Sequence, residues 1–283
     1  MSPAVQDSLS HLINGLHSLV DGRAYIARLI AFGPKATPAL ADLLLHGKRS
    51  AVSQPRQWIV EVLGGLRAYD VLLAYLRQPV DIQNPVVQHA EEAVQNAAAR
   101  ELAAYETEEA FSVLLDCLRR RPLPGIIETL GLYRRPTVAP YLLDYLEDDV
   151  CRSAAMEALQ HLGGSVRGLL IESALTRKPP LPEFESASSL RRRQCCVRLL
   201  EHLRMSKDEV ARLAPLLHEE DPDLVTAFAQ VVLRCPDFGD YRSILLHLKR
   251  IQPKLGWWLQ DEFRSLMSQT EKKLHSNANT DHL

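Results

Sequence analysis

The stretch DDVCRSAAMEALQHLG, residues 148–163, decides the fold class of this chain. Its apolar residues recur at helical spacing and form one stripe: Cys151, Ala155, Leu159 and Leu162. Val150 and Ala154 widen that stripe toward a second face, and a helix that is apolar on two sides packs between two neighbours. The glycines at 163 and 164 predict a left-handed cap where the helix ends. The stretch therefore predicts one buried helix in a stack of helices.

Two other segments open in the same way as Asp148. They are NPVVQHAEEAVQNAA, which starts at Asn84, and DPDLVTAFAQVVLR, which starts at Asp221. Asn and Asp are good N-caps because their side chains accept hydrogen bonds from free amides of the first turn, and proline is well placed just after a cap. Short turns and second amphipathic helices follow, with successive turns roughly 30–40 residues apart. The pattern predicts a chain of repeated helical hairpins.

The segment from Asp148 to Leu159 resembles the HEAT repeat, in particular the short PBS-lyase HEAT-like repeat. The resemblance implies an all-α fold, a right-handed α-solenoid of about six to seven HEAT-like hairpins with a C-terminal capping helix. It also implies that Asp149 and Arg152 are structural and tie adjacent repeats. Gln88 and Thr226 stand where other repeats would carry the arginine, so a regular ladder of such pairs is not predicted.

Composition divides the chain into four parts. Residues 1–176 and 190–270 are predicted to hold N-terminal and C-terminal HEAT-like repeats, the second with the capping helix. Between them, RKPPLPEFESASS at 177–189 is rich in proline and serine and predicts an inter-repeat loop. The polar residues 271–283 predict a disordered tail.

The totals exclude several classes of protein. With 283 residues, a net charge of −2 and a pI near 6.6, the chain has no overall basic field to hold a polyanion. Five scattered cysteines without CxxC spacing indicate reduced thiols. No basic leader precedes the first apolar residues, and no apolar run reaches the roughly 18–20 residues that cross a bilayer. A cytoplasmic protein without membrane insertion is expected.

The motifs of common enzymes are missing from the sequence. A di-iron hydroxylase on a similar scaffold uses four His-Glu dipeptides, and here His218-Glu219 stands alone. Cys195 and Cys196 follow three arginines, yet adjacent helical residues point about 100° apart, so core packing is the favoured interpretation. We therefore predict no catalytic residues, no metal and no cofactor.

Basic residues concentrate in the middle of the chain. The clusters at 119–121 and 134–135 are predicted near helix C-termini, where cations interact favourably with carbonyls. The cluster at 191–193 falls at a helix start, where the dipole does not favour cations, and is the strongest candidate for a surface that binds an acidic protein segment. The predicted partner-binding residues are Arg134, Arg135, Arg191, Arg192, Arg193, Arg198 and the off-stripe Trp257, which could equally cover the open end of the last repeat.

A non-catalytic scaffold that binds a protein partner along its groove is the leading functional hypothesis. Resemblance to bilin lyase subunits implies a chromophore-binding alternative. A HEAT-like DNA glycosylase is a third, which would require a strongly basic groove, so a nucleic-acid partner is disfavoured by the net charge.

Overall fold

The computed structural model describes residues 3–80, 82–178, 184–235, 238, 240–255 and 260–280, with the side chains of 3–5, 254, 262 and 276–280 left aside. The chain divides into two compact units, Met1–Arg135 and Pro136–Leu283. Each is built from helices, and the described residues contain no β-strand. The division falls in the turn after the eighth helix, whereas composition suggested a break at 177–189.

The described residues of the first unit form a two-layer stack of eight α-helices. One layer sets α2, α4, α6 and α8 side by side, and α3, α5 and α7 form the second layer behind it. The helices run α1 Pro3–Gly15, α2 Ala24–Phe32, α3 Thr37–His46, α4 Gln54–Gly65, α5 Tyr69–Arg77, α6 Pro85–Glu101, α7 Glu108–Arg120 and α8 Pro124–Leu132.

The second unit repeats this plan. Its front layer consists of α10, α12, α14 and α16, each in contact with the next, while α9 packs on α11 and α15 packs on α14 and α16. The helices run α9 Ala139–Tyr145, α10 Arg152–Leu162, α11 Arg167–Leu175, α12 Ala187–Glu201, α13 Lys207–Arg212, α14 Pro222–Arg234, α15 Tyr241–Ile251 and α16 Gln260–Thr280, with a 3-10 helix Ala214–His218 after α13.

The predicted all-α fold of stacked helical hairpins is confirmed over the described part of the chain. Three hairpins lie in each unit, and α8 and α9 flank the division between the units. The core is largely aliphatic. Ala155, Ala158 and Leu159 of α10, which the apolar pattern predicted to face the core, are fully or almost fully buried. Small side chains let the layers approach closely, which explains the alanine-rich front helices.

Local signals set most helix starts. Asn84 accepts from the amides of Val86 and Val87, and Asp221 accepts from that of Leu224, as predicted for N-caps. Asp148 accepts from the amides of residues 150 and 151. At the other end of α10, Gly163 has φ 60° and ψ −139°. The positive φ agrees with the predicted cap, but the ψ lies outside the left-handed helical region.

Two boundaries differ from the sequence prediction. Ser186 caps α12 by accepting from the Ser189 amide, so the helix begins at Ala187, within the predicted loop. The predicted disordered tail is also shorter, because α16 continues to Thr280. Glu, Lys and Leu at 271–274 are good helix formers that extend a helix already docked on the core.

All five cysteines are free and buried. Cys195 and Cys196 are 7% and 0% exposed, in agreement with core packing. Burial raises the pKa of the Cys196 thiol to about 12. Within the described residues, no helix has both the length and the apolar character that a membrane span requires.

Candidate functional site

The predicted basic patch at the start of α12 is mostly buried. Only Arg191 is exposed, and its Nη1 lies 2.6 Å from Asp149 Oδ1. Arg192 and Arg193 are 4% and 1% exposed. The interpretation of residues 191–193 as one exposed binding surface is therefore wrong for two of its three members.

The buried arginines close the end of the preceding helix. Arg193 Nε donates to the Ala174 carbonyl at 2.8 Å, and Arg192 Nη2 donates to the Thr176 carbonyl at 2.7 Å. Both carbonyls lie at the C-terminal end of α11, where free acceptors and the helix dipole favour cations. The dipole at the start of α12 disfavours cations, but the free carbonyls at the end of the neighbouring α11 accept hydrogen bonds from these two arginines and offset that cost.

Carboxylates complete this cluster. Arg193 Nη1 pairs with Glu185 at 2.6 Å and Nη2 pairs with Glu219, which also accepts from Arg177. Burial would raise the pKa of Glu219, but the hydrogen bonds from the two arginines outweigh it and hold that pKa below its usual range. His218-Glu219, the one His-Glu dipeptide, thus has its glutamate engaged in a structural ion cluster.

Arginines from later helices satisfy helix ends in the same way at other hairpins. The carbonyls of Leu43 and Leu44, at the end of α3, accept from Arg56 of α4 at 3.1 and 2.9 Å. Other pairs of this kind join Leu76 to Arg120, Leu146 to Arg152 and Leu217 to Arg250. Several arginines therefore stabilise the stacked helices by hydrogen bonding to the carbonyls at helix ends.

Glu91 is the centre of a buried cluster in the first unit and is 2% exposed. Its Oε1 accepts from Tyr75 Oη at 2.7 Å and from Arg56 Nη2 at 3.2 Å, with Arg49 Nε at 3.3 Å. Burial, and next the Glu91 carboxylate, raise the pKa of Tyr75 far above its usual range, so the hydroxyl stays a donor. This cluster joins α4, α5 and α6.

Asp149 links two successive hairpins. Its Oδ1 lies 2.6 Å from Arg152 Nη2 of α10 and 2.6 Å from Arg191 Nη1 of α12. Hydrogen bonding to Arg152, and then the charge of Arg191, lower the pKa of Asp149 below its usual value. The ion pair that joins the two hairpins is therefore Asp149–Arg191. Arg191 is not part of the repeat pattern, which pairs Asp149 with Arg152.

Arg134 and Arg135 belong to the first unit, where Arg134 is exposed with φ 50° and Arg135 Nη1 pairs with Glu108 at 2.7 Å. Arg135 also lies over the ring of Phe111, 4.6 Å from its centroid. Trp257 lies outside the described residues.

Arg198 lies in a groove on the front layer of the second unit. One trough of about 500 Å³ runs across α10, α12 and α14, and a second of about 380 Å³ runs across α12, α14 and α16. Glu201 and Gln230 line both troughs, so the two form one groove along four helices. We call this the front groove.

The four helices contribute lining side chains at the same spacing. Each supplies a pair at positions i and i+4: Met156 and Gln160, Arg198 and His202, Thr226 and Gln230, Ser265 and Gln269. Residues four apart lie on one helix face, so the pairs form a row across the layer. Sequence reasoning found only Arg198. Polar residues at i and i+4 on several front helices were the available signal, but they are ordinary for solvated surfaces.

The front groove is polar and nearly balanced in charge. Arg234 Nη2 pairs with Glu201 at 2.8 Å, whereas the exposed Arg198 forms no ion pair with any described residue. His202 is exposed as well. Nowhere in the described part of the chain do three or more His, Cys, Asp or Glu residues assemble into a possible metal site. The groove thus offers hydrogen-bond donors and acceptors, and its lining carries two cations, Arg198 and Arg234, and two carboxylates, Glu201 and Asp223.

No family model matches the sequence, and no curated protein matches it. Among solved structures, human deoxyhypusine hydroxylase in complex with glycerol is similar at 16% identity and a TM-score of 0.35, over 96% of this chain and 98% of that chain. A likeness at this TM-score carries no argument about function. The HEAT-like character of the chain rests on its own stacked hairpins, and membership in a named repeat family stays a prediction.

Proposed function

We propose that this protein is a non-catalytic scaffold that binds an extended polypeptide segment of a partner protein along the front groove. The observation that carries the proposal is the row of paired side chains on α10, α12, α14 and α16. Repeat stacks of this kind present elongated surfaces, which suit extended partners better than compact ones.

The dimensions of the groove support a peptide. Packed helices lie about 8–10 Å apart, so four neighbouring helices span roughly 24–30 Å between the first and last axes. An extended chain covers about 3.3 Å per residue, so roughly eight residues would fill that length. The lining is suited to such a chain, since Gln160, Gln230 and Gln269 each carry an amide that can both donate to and accept from a peptide backbone.

Arg198 suggests one feature of the partner. Its guanidinium is exposed, faces no carboxylate within ion-pair distance among the described residues, and lies near the middle of the row. An aspartate or glutamate of the bound segment would pair with it. Arg198 and Arg234 together balance the carboxylates of Glu201 and Asp223, and this overall neutrality favours a segment with a single acidic anchor over a polyanion.

The test uses the full-length protein in its native cells. A photo-crosslinking amino acid at His202 or Gln230 is expected to capture a partner, and one at Arg242, an exposed residue of α15 on the other layer, is expected to capture none of it. Arg198→Glu should lower recovery of that partner at least about tenfold, because a repulsive charge replaces an attractive one. Arg242→Glu is the matched control. Equal recovery with both charge reversals, or equal crosslinking from both layers, would reject the groove as the binding surface.

A further inference from the structure

A cavity of about 230 Å³ lies in the first unit at the end of α5, apart from the front groove. Its walls come from four helices and from the chain that follows α5. Leu76 and Ile126 are 1% and 2% exposed and provide an apolar floor, which Val80 extends. The cavity is smaller than the roughly 300–1,000 Å³ of pockets for drug-sized ligands, so its occupant would be small.

Two guanidinium groups line the same cavity. Arg120 is fixed by hydrogen bonds from Nη2 to the Leu76 carbonyl at 3.0 Å and from Nε to the Asp116 carbonyl at 3.3 Å. Its Nη1 has no acceptor among the described residues. Arg121 uses Nη1 to pair with Glu92 at 2.6 Å, and its Nε and Nη2 likewise have no described acceptor. Both residues therefore keep N–H groups for a ligand.

A neutral thiol and an amide complete the lining. Cys117 is 7% exposed and donates to the Leu76 carbonyl at 3.3 Å. Burial, only partly opposed by Arg120, raises the pKa of this thiol, so Cys117 adds no negative charge to the cavity. Gln95 makes no hydrogen bond with any described residue and can donate to an oxygen atom in the cavity. Arg120 and Arg121 supply two cations, and none of the described lining residues is a carboxylate, so the cavity favours an anion.

We infer that this cavity binds a small aliphatic carboxylic acid, with its carboxylate at Arg120, Arg121 and Gln95 and its hydrocarbon body on Leu76 and Ile126. A carboxylate matches the planar guanidinium, which can give it two parallel hydrogen bonds. An inorganic anion would leave the apolar floor unoccupied, and a purely apolar molecule would leave the free N–H groups without acceptors. The ligand therefore combines one acid group with a short aliphatic chain.

The probe is 3-methylbutanoate, compared with its neutral isostere 3-methylbutanamide, on the full chain by titration calorimetry. We expect saturable binding of the acid at roughly millimolar affinity and at least about tenfold weaker binding of the amide. Arg121→Gln should weaken acid binding at least about tenfold. Arg23 is exposed at the start of α2 and does not line the cavity, so Arg23→Gln should leave binding unchanged. A filled cavity also predicts slower alkylation of Cys117 when the acid is present, read by mass spectrometry.

A second pair of variants tests the location. Val80→Trp places a large ring at the cavity and should abolish binding, whereas Val86→Trp alters a side chain that is 62% exposed in the next helix and should not. Thermal melting confirms that each variant is folded. The inference fails if the wild-type chain shows no saturable binding even at acid concentrations well above millimolar. It also fails if the acid and the amide bind equally, or if the folded Arg121→Gln variant binds the acid as well as wild type does. It also fails if only a peptide ending in a leucine carboxylate binds, because the ligand would then be a chain terminus.

Discussion

Arg193 Nε donates to the Ala174 carbonyl at 2.8 Å, so a charged side chain of α12 completes the helix that precedes it. The same guanidinium reaches Glu185 and Glu219 and is 1% exposed. Its role is therefore structural.

Replacement of Arg193 by Met should destabilise the protein by about 3–5 kcal/mol, because it leaves buried carboxylates and a helix end without their cation. Arg191→Met is the matched control. Its side chain is 45% exposed, and an exposed pair contributes only about 0–1 kcal/mol. Urea denaturation of both variants measures the difference. Similar losses in the two variants would contradict the buried role of Arg193.

Tyr75→Phe tests the cluster around Glu91. The change removes the hydroxyl that donates to Glu91 Oε1 at 2.7 Å and should reduce the free energy of unfolding by about 1–3 kcal/mol. Tyr69→Phe is a suitable control because the Tyr69 hydroxyl has no hydrogen bond among the described residues, so a change within about 0.5 kcal/mol is expected. If thermal or urea melting gives equal shifts, the Tyr75 hydroxyl contributes nothing specific.

Glu219 predicts an acid-sensitive contribution to stability. Its folded-state pKa is lowered, so the carboxylate stabilises the fold above its unfolded pKa of about 4.3, and that contribution disappears as pH falls through the lower folded value. The loss of stability caused by Glu219→Gln should therefore be largest near neutral pH and shrink below about pH 4.3. Unfolding free energies of both proteins across this range provide the measurement. A difference that stays constant with pH would show that the charge of Glu219 is not the stabilising feature.

Gly163 and Gly168 should respond oppositely to alanine. Open space surrounds an added Cβ at both positions, so sterics with neighbours do not separate them. Gly163 has φ 60° and ψ −139°, a conformation close to those reserved for glycine, and Gly163→Ala should cost about 1–3 kcal/mol. Gly168 lies within α11, where alanine should add up to about 1 kcal/mol. Thermal melting of the two variants measures the change in stability. A loss of stability at both positions would contradict the conclusion that backbone conformation separates them.

Local chemistry was enough to predict the fold class. Asn84 and Asp221 are N-caps whose partners lie two or three residues away, and the apolar stripe of α10 depends on spacing within one helix. Such signals are complete within a short window of sequence. The loop at 177–189 was less predictable, because Ser186 acts as a cap inside a segment whose composition is typical of irregular chain.

The candidate binding residues were less accessible to prediction from the sequence. Arg192 and Arg193 look like a surface cluster when only their own helix is considered, and the carbonyls that bury them belong to α11. The front groove depends on the alignment of four helices, which spacing within one helix does not reveal. Arg198 was found because it belongs to a basic run, whereas Gln160 and Gln230 carry no charge and stand out only once the layer is assembled.

The double attachment of Arg193 has a consequence for synthesis on the ribosome. The backbone carbonyl of Ala174 emerges before Arg193, but Glu219 emerges 26 residues after it. Until that later segment leaves the exit tunnel, α12 can dock only with part of its cation neutralised. The emergence of residues 194–219 from the exit tunnel is thus a window in which this hairpin is incompletely stabilised, and a translational pause during it would prolong the exposure of the nascent chain to chaperones and proteases.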